Sequence, residues 1–281
     1  MITRTEADKI HQEIKSALTE AFDYIQSNCI DHDYKIFLAD GEYKEKYLSY
    51  TLKLNPFVID NREDRLKDES RQRFFIKFMQ TFYGFPKGTS KTDDNEYRLA
   101  MELMVYTHIW ESERFLKELY RFASLTNKKS YDWEVIVPES SKHEFIRKNI
   151  RDVFKANGLQ LADIITKGFH TSLRNAFAHS QYLLDDYNKK IHLDTFKGDY
   201  SWDIENISYD EWTKRFLYSS LLSYHLYNFK HLRRKQLNKD YNTDAHLIIH
   251  PITKTRFRAS YIYYDDVNDN FGFYPVQRHS S

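Results

Sequence analysis

The sequence predicts a mainly α-helical protein: a helical-bundle core with an N-terminal α+β region and a small β-rich C-terminal tail. Three observations carry this reading. Turn formers are scarce, because 7 Gly and 5 Pro make 12 of 281 residues, about 4%. An average protein carries roughly three times that share, so tight turns are few and elements long. Apolar residues recur every three to four positions over most of the chain, the period of an amphipathic helix. Alternating β-branched and aromatic runs are confined to residues 35–59, one hairpin-like stretch and the tail. The glycine shortage also argues against an all-β sandwich, a dinucleotide-binding α/β domain and a glycine-rich phosphate loop. The length is ample for a full hydrophobic core.

Residues 3–28 read as a helix. Thr3-x-x-Glu6 has the form of a capping box, and Ile10, Ile14, Leu18, Phe22 and Ile25 follow at helical spacing. KIFLAD and YLSYTLKL, parted by Asp40-Gly41, read as strands within 35–59. A helix over 61–83 should stop at Gly84 and Pro86, and the polar stretch at about 85–95 reads as a linker. Leu99, Leu103, Tyr106, Ile109, Leu116, Tyr120 and Ala123 predict one long helix from about 95 to 125. WEVIVP is a short strand-like piece. Ser141-x-x-Glu144 should open a helix that stops at Asn157-Gly158, followed by another over 159–178. YLLDDYNKKIHLDTF predicts a hairpin at about 182–196. Ser208-x-x-Glu211 should cap a final long helix to about residue 237, carrying Trp212, Phe216, Leu217 and Leu221. The tail reads as two or three strands. Three regions follow: 1–90 (α+β), 95–239 (helical, with the inserted hairpin) and 240–281 (β-rich).

Composition bounds the function. The 42 basic and 41 acidic residues leave a net charge of +1, which excludes a polycation that coats nucleic acid but leaves room for a local basic patch. A lone cysteine, Cys29, excludes a disulfide framework and a cysteine zinc site. It has no visible base nearby and reads as packing. No apolar run approaches the ~18 residues of a membrane helix, and the charged N-terminus is unlike a signal peptide. The expectation is a soluble cytoplasmic protein without a membrane partner. No cofactor motif and no metal-ligand set is legible. His246 and His250 lie four apart in a strand-like run, which separates them by ~13 Å.

Chemistry concentrates on the predicted helix 159–178. Leu161, Ile164, Ile165, Phe169 and Leu173 form a core stripe, while Asp163, Lys167, His170 and Arg174 stack on the other face. The helix runs into Arg174-Asn175-Ala176-Phe177-Ala178-His179, where small Ala176 and Ala178 would admit another surface. Arginine offers a permanent planar cation that fits phosphate oxygens, and histidine exchanges a proton near neutral pH. Together they suit RNA cleavage: the imidazole handles the 2′-OH proton or the leaving 5′-oxygen, and arginine stabilises the phosphorane. Arg174 and His179 are five apart, about 140° around a regular helix. A kinked helix end or a second subunit would resolve that divergence.

The segment RNAFAH, at the end of a third bundle helix and before a hairpin and a long last helix, resembles the R-x4–6-H motif of the HEPN superfamily. The resemblance spans roughly residues 95–237. It implies a HEPN-like four-helix bundle core, catalytic Arg174, Asn175 and His179, and a metal-independent endoribonuclease without cofactor. It further implies RNA as substrate, a homodimer with a composite site, and a role as toxin or antiviral effector with an antitoxin or regulatory partner. An acidic residue of the first bundle helix often supports the site in this family; Glu111 and Glu113 lie there, although solvated charge is the plainer reading of both. In one toxin group a tyrosine two residues after the histidine is modified, whereas here Tyr182 stands three after His179. Some members keep the fold and only bind RNA or a partner protein, which is the alternative reading.

Substrate contacts are expected from His170, one turn before Arg174, and from Lys230, Arg233 and Arg234. Those three belong to an acid-free run with five Lys/Arg over residues 228–239. Such a run suits phosphate, and equally suits the negative end of a helix dipole. The tail tyrosines could stack on bases, though aromatics more often fill a small sheet.

Overall fold

The computed structural model describes residues 2–48, 54–60, 62–87, 89–93, 96–199 and 203–274. Helix α1 (Arg4–Asn28) opens with the expected capping box: Thr3 Oγ1 accepts from Glu6 N at 3.2 Å, and Glu6 Oε2 accepts from Thr3 N at 3.0 Å. Its buried stripe, from Ile10 to Ile25, lies along α10 (Tyr209–Tyr241), which opens with the second box at Ser208 and Glu211. Helices α4 (Glu96–Glu111), α5 (Glu113–Thr126) and α8 (Leu161–Gly168) complete the packing around this pair. The protein is mainly helical, with small sheets attached. One continuous core joins Phe22 and Phe37 of the first region to Phe122 and Trp212 of the second and Ile248 and Ile262 of the tail.

The stretch expected to begin as strand at residue 35 is instead the end of a helix, α2 (Asp31–Leu38). Tyr34, Ile36, Phe37, Leu38 and Ala39 are all buried, and an apolar run buried on every side has no period by which to tell strand from helix. The Lys35–Asp31 pair at 2.6 Å supports the helical turn. Only β1 (Glu42–Tyr43) and β2 (Phe57–Val58) pair here; residues 49–53 of YLSYTLKL lie outside the described residues. Helix α3 (Arg62–Tyr83) stops at Gly84, where a Cβ would lie 2.5 Å from the Gln80 carbonyl oxygen. The described part of the predicted linker is docked on the N-terminus: Arg4 N donates to Ser90 O and Thr92 N to Ile2 O, both at 3.0 Å.

The helix expected over 95–125 is two, because Ser112 adopts an extended backbone and its Oγ caps α5 by accepting from Phe115 N at 3.4 Å. WEVIVP forms no strand; Trp133 instead accepts from Tyr43 N at 2.8 Å. The Ser141 box does not form, since Ser141 is left-handed and its side chain caps nothing. Helix nevertheless follows in three pieces, α6 (Lys142–Glu144), a π-helical stretch (Phe145–Arg151) and α7 (Asp152–Ala156), stopping at Asn157-Gly158 as expected. The hairpin β3 (Tyr182–Asp185) and β4 (Lys190–Leu193) is extended by β5 (Asn206–Ser208). Strands β6 (His246–Pro251), β7 (Phe257–Asp265) and β8 (Asn270–Phe273) form an antiparallel meander. Among the described residues no helix is long and apolar enough to cross a membrane.

Candidate functional site

The motif helix is shorter than the sequence suggests. The predicted helix 159–178 breaks at Phe169-His170 into α8 and α9 (Thr171–Ala178). Gly168 packs against α10 so tightly that a Cβ would lie 3.0 Å from Ser219 Oγ. The buried Tyr106 hydroxyl staples the break, donating to Gly168 O at 3.3 Å and accepting from His170 N at 3.0 Å. Arg215 donates to the carbonyls of Thr166 and Phe169 at 3.2 and 3.1 Å, serving groups that a continuous helix would have satisfied itself. Asp163, Lys167, His170 and Arg174 therefore do not form one stacked face. Lys167 turns to Glu13 at 2.8 Å.

On α9, Arg174 is oriented by two acceptors. Its guanidinium donates to Asn175 Oδ1 at 2.9 Å and ion-pairs with Glu111 at the C-terminus of α4. The other Glu111 oxygen accepts from Lys142 Nζ at 2.6 Å. Of the two acidic residues singled out near the end of α4, Glu111 thus meets Arg174. Glu113, only two positions on, belongs to α5 and pairs with Lys117 at the surface. His143 lies beside this cluster; burial, Arg147 and Arg174 all push its pKa below the ordinary histidine value.

His179 is the C-cap of α9, its backbone N–H bonded to Asn175 O at 3.1 Å. It is exposed, and its imidazole has no hydrogen-bonding partner among the described residues. The chain then turns through left-handed Ser180 into β3. Arg174 and His179 leave α9 on different sides, about 140° apart, while Asn175 and His179 share a side. Of the two small residues, Ala176 is buried in the core and only Ala178 faces outward.

The expected substrate contacts are placed elsewhere. His170 is half-buried before α9, its Nδ1 without a partner among the described residues, and burial together with Arg215 lowers its pKa to about 4. It is a neutral imidazole at pH 7, unsuited to attracting phosphate. Lys230 is buried between Asp40 and Glu118, and Arg234 is buried against Asp60, Asp40 and Asp269. Arg233 pairs with Asp23 and Gln26. All three cations are committed within the chain. His246 and His250 point inward, to Asn238 Oδ1 at 2.7 Å and Phe57 O at 2.9 Å. Burial raises the Cys29 thiol to about 12. Of the tail tyrosines, Tyr264 is buried and bonds Asp269, whereas Tyr261 and Tyr263 face outward. Among the described residues no group of three or more His, Cys, Asp or Glu is placed to hold a metal ion.

Sequence reasoning does not find Lys142, Tyr106 or Arg215 as parts of this site. Each reaches it from 31 or more positions away, a separation that leaves no local signal. Comparison with protein-family models, curated proteins and solved structures gave no match, so likeness assigns the chain to no family.

Proposed function

We propose that the protein is a metal-independent endoribonuclease of the HEPN type, a cytoplasmic toxin or defence effector, with Arg174, Asn175 and His179 as its machinery. The observation that supports this most is the exposed His179, its imidazole without a partner among the described residues, on the same helix as an arginine already oriented by Glu111 and Asn175. In the proposed reaction one His179 accepts the 2′-OH proton of RNA. The 2′-oxygen attacks the adjacent phosphorus, and the 5′-oxygen leaves with a proton from the second His179 of a dimer. Arg174 neutralises the phosphorane oxygens, and Asn175 and Glu111 hold its guanidinium plane. The products are a 2′,3′-cyclic phosphate and a 5′-hydroxyl. Because the two side chains diverge on α9, we place the cleft between two copies, the arginine of one facing the histidine of the other.

The test is incubation of the purified protein with total RNA in EDTA, followed by sequencing of the ends. Cleavage with cyclic phosphate termini is expected, abolished by His179→Ala and by Arg174→Ala with unchanged circular dichroism. Intact RNA from a folded dimer overturns the reading. The pairing of Arg174 with Glu111 also favours a second reading, a non-catalytic module that binds RNA or a partner protein such as an antitoxin. RNA retention without cleavage, unaffected by His179→Ala, would select it.

A further inference from the structure

The outer face of the tail sheet has the wrong polarity for a surface in solvent. An antiparallel sheet with one face on the core ordinarily turns its polar residues outward. Strand β6 does the reverse: His246, Ile248 and His250 are buried, and Leu247 and Ile249 are exposed. The register sets Tyr261 opposite Leu247, Ala259 opposite Ile249 and Gly272 opposite Tyr263, all on that outer face. Phe257 shares it at the start of β7, and Tyr274 shares it after β8, where its ring meets Tyr263 at 5.1 Å. Leu247, Ile249, Phe257, Tyr261, Tyr263 and Tyr274 are each 37–58% exposed. A Cβ on Gly272 would lie 2.6 Å from Tyr263 Cζ, so the Tyr263 ring rests on bare backbone and the face stays flat.

Charge is kept off this face and gathered at its two ends. Among the described strand residues only Asp265 carries a charge in outward register, and it sits at the end of β7, accepting from Val267 N and Asn268 N of its own turn. Asp244, just before β6, belongs to the same end. Neither carboxylate has a cation partner among the described residues. At the opposite end, in and beside the β6–β7 turn, stand Lys254, Arg256 and Arg258. Lys254 pairs with Glu134 at 2.9 Å, but the side chains of Arg256 and Arg258 have no hydrogen-bond or ion-pair partner among the described residues.

We propose that this face is the contact between two copies of the chain, packed sheet on sheet about a two-fold axis that lies across the strands. Such an axis runs the facing strands in opposite directions, so the arginine end of each copy meets the carboxylate end of the other. The neutral middle, rich in tyrosine and free of charge, is the composition of an interface core. At roughly 150–250 Å² for a whole side chain of this size, the six exposed side chains present on the order of 500 Å² per copy. Two faces together reach about 1,000 Å², the area a specific interface needs. A single apolar patch this large is seldom left to solvent. The contact uses no residue of α9 and does not rest on the ribonuclease reading.

Sedimentation velocity of the full chain without RNA tests the contact by mass rather than by cleavage. The wild type is expected to run as two copies of 34.0 kDa, with a micromolar Kd. Leu247→Glu with Tyr261→Glu places carboxylates in the neutral middle of both copies and should weaken pairing about tenfold or more. Arg256→Glu with Arg258→Glu sets acid against acid at both ends and should weaken it about threefold. All four positions are exposed, and thermal melting checks that the variants fold. A wild type of single mass at about 100 µM overturns the proposal. So does a dimer that Leu247→Glu with Tyr261→Glu leaves unchanged, which puts the pairing elsewhere on the chain. Tighter pairing on reversal of the arginines would set the strands parallel and overturn the arrangement. If the Leu247 and Tyr261 substitutions abolish RNA retention while the mass does not move, the face belongs to RNA, and the proposal equally falls.

Discussion

The end of α9 and the second half of α10 look alike as sequence: each is a short helical stretch with Arg and His among small or polar residues. Their environments are opposite. On α10, Lys230 and Arg234 are buried and tie three remote segments together, through Asp40 after α2, Asp60 before α3, and Asp269 between β7 and β8. On α9, Arg174 keeps one carboxylate and one amide partner, and the His179 imidazole keeps none among the described residues. A cation in a sequence is therefore no measure of a cation available to a ligand. Burial beside carboxylates turns the α10 cations into struts, whereas at the end of α9 His179 is open to solvent, one turn after a mostly buried Arg174.

Breaking one partner of each region should separate them. Arg234→Met strands buried Asp60 and is expected to cost about 3–5 kcal/mol in urea unfolding. Arg174→Met leaves Glu111, 30% exposed and still paired with Lys142, and should cost less than that, about 1–3 kcal/mol, while removing RNA cleavage. The reverse ranking would break the comparison.

Buried imidazoles should give the fold an acid limit that the exposed site does not set. His11 Nδ1 and His225 Nε2 meet at 2.9 Å across α1 and α10, and burial, then His11 and Lys15, lower the His225 pKa to about 4. The unfolded chain protonates this group near pH 6.5 while the folded chain resists. Its contribution is complete above pH 6.5 and lost as the pH falls toward 4, a decline of up to about 3 kcal/mol. His170 behaves with the same sign. Urea midpoints between pH 4 and 7 should show the slope, and His225→Gln should flatten it.

Glu111→Gln keeps the shape of the Arg174 contact and removes its charge. Single-turnover cleavage should fall about tenfold, equivalent to 1.4 kcal/mol, with RNA affinity nearly unchanged. An equal loss of affinity would make Glu111 part of binding rather than of orientation. The smallest difference concerns helix starts. Ser208→Ala removes a formed capping box and should cost about 1 kcal/mol, whereas Ser141→Ala, where no box forms, should leave the thermal midpoint within error.

That last pair shows why some elements were legible and others not. Thr3-Glu6, Ser208-Glu211 and Ser141-Glu144 are the same local pattern. The first two form on an extended N-cap backbone; at Ser141 the chain enters in a left-handed turn instead, although Phe145, Ile146, Ile150 and Phe154 behind it are buried too. The breaks at Ser112 and at Phe169-His170 were hidden because apolar spacing continues across them. What ends the helices is the Ser112 cap in one case, and Ser219, Tyr106 and Arg215 in the other. The motif residues themselves could be read directly, being contiguous. The Glu111 partner was within reach only as one of two candidates, since α4 and α9 meet solely in three dimensions.

By itself, the sequence determined the helical character, the starts of α1 and α10, the hairpin, the strand-rich tail and the RNAFAH cluster, because periodicity, caps and turns are encoded by neighbours along the chain. Tertiary structure alone decided which charges are struts and which are exposed, where the long helices break, and that Glu111 meets Arg174. Those outcomes depend on burial and on partners tens to hundreds of positions away, and burial is a property of the packed fold that no local pattern contains.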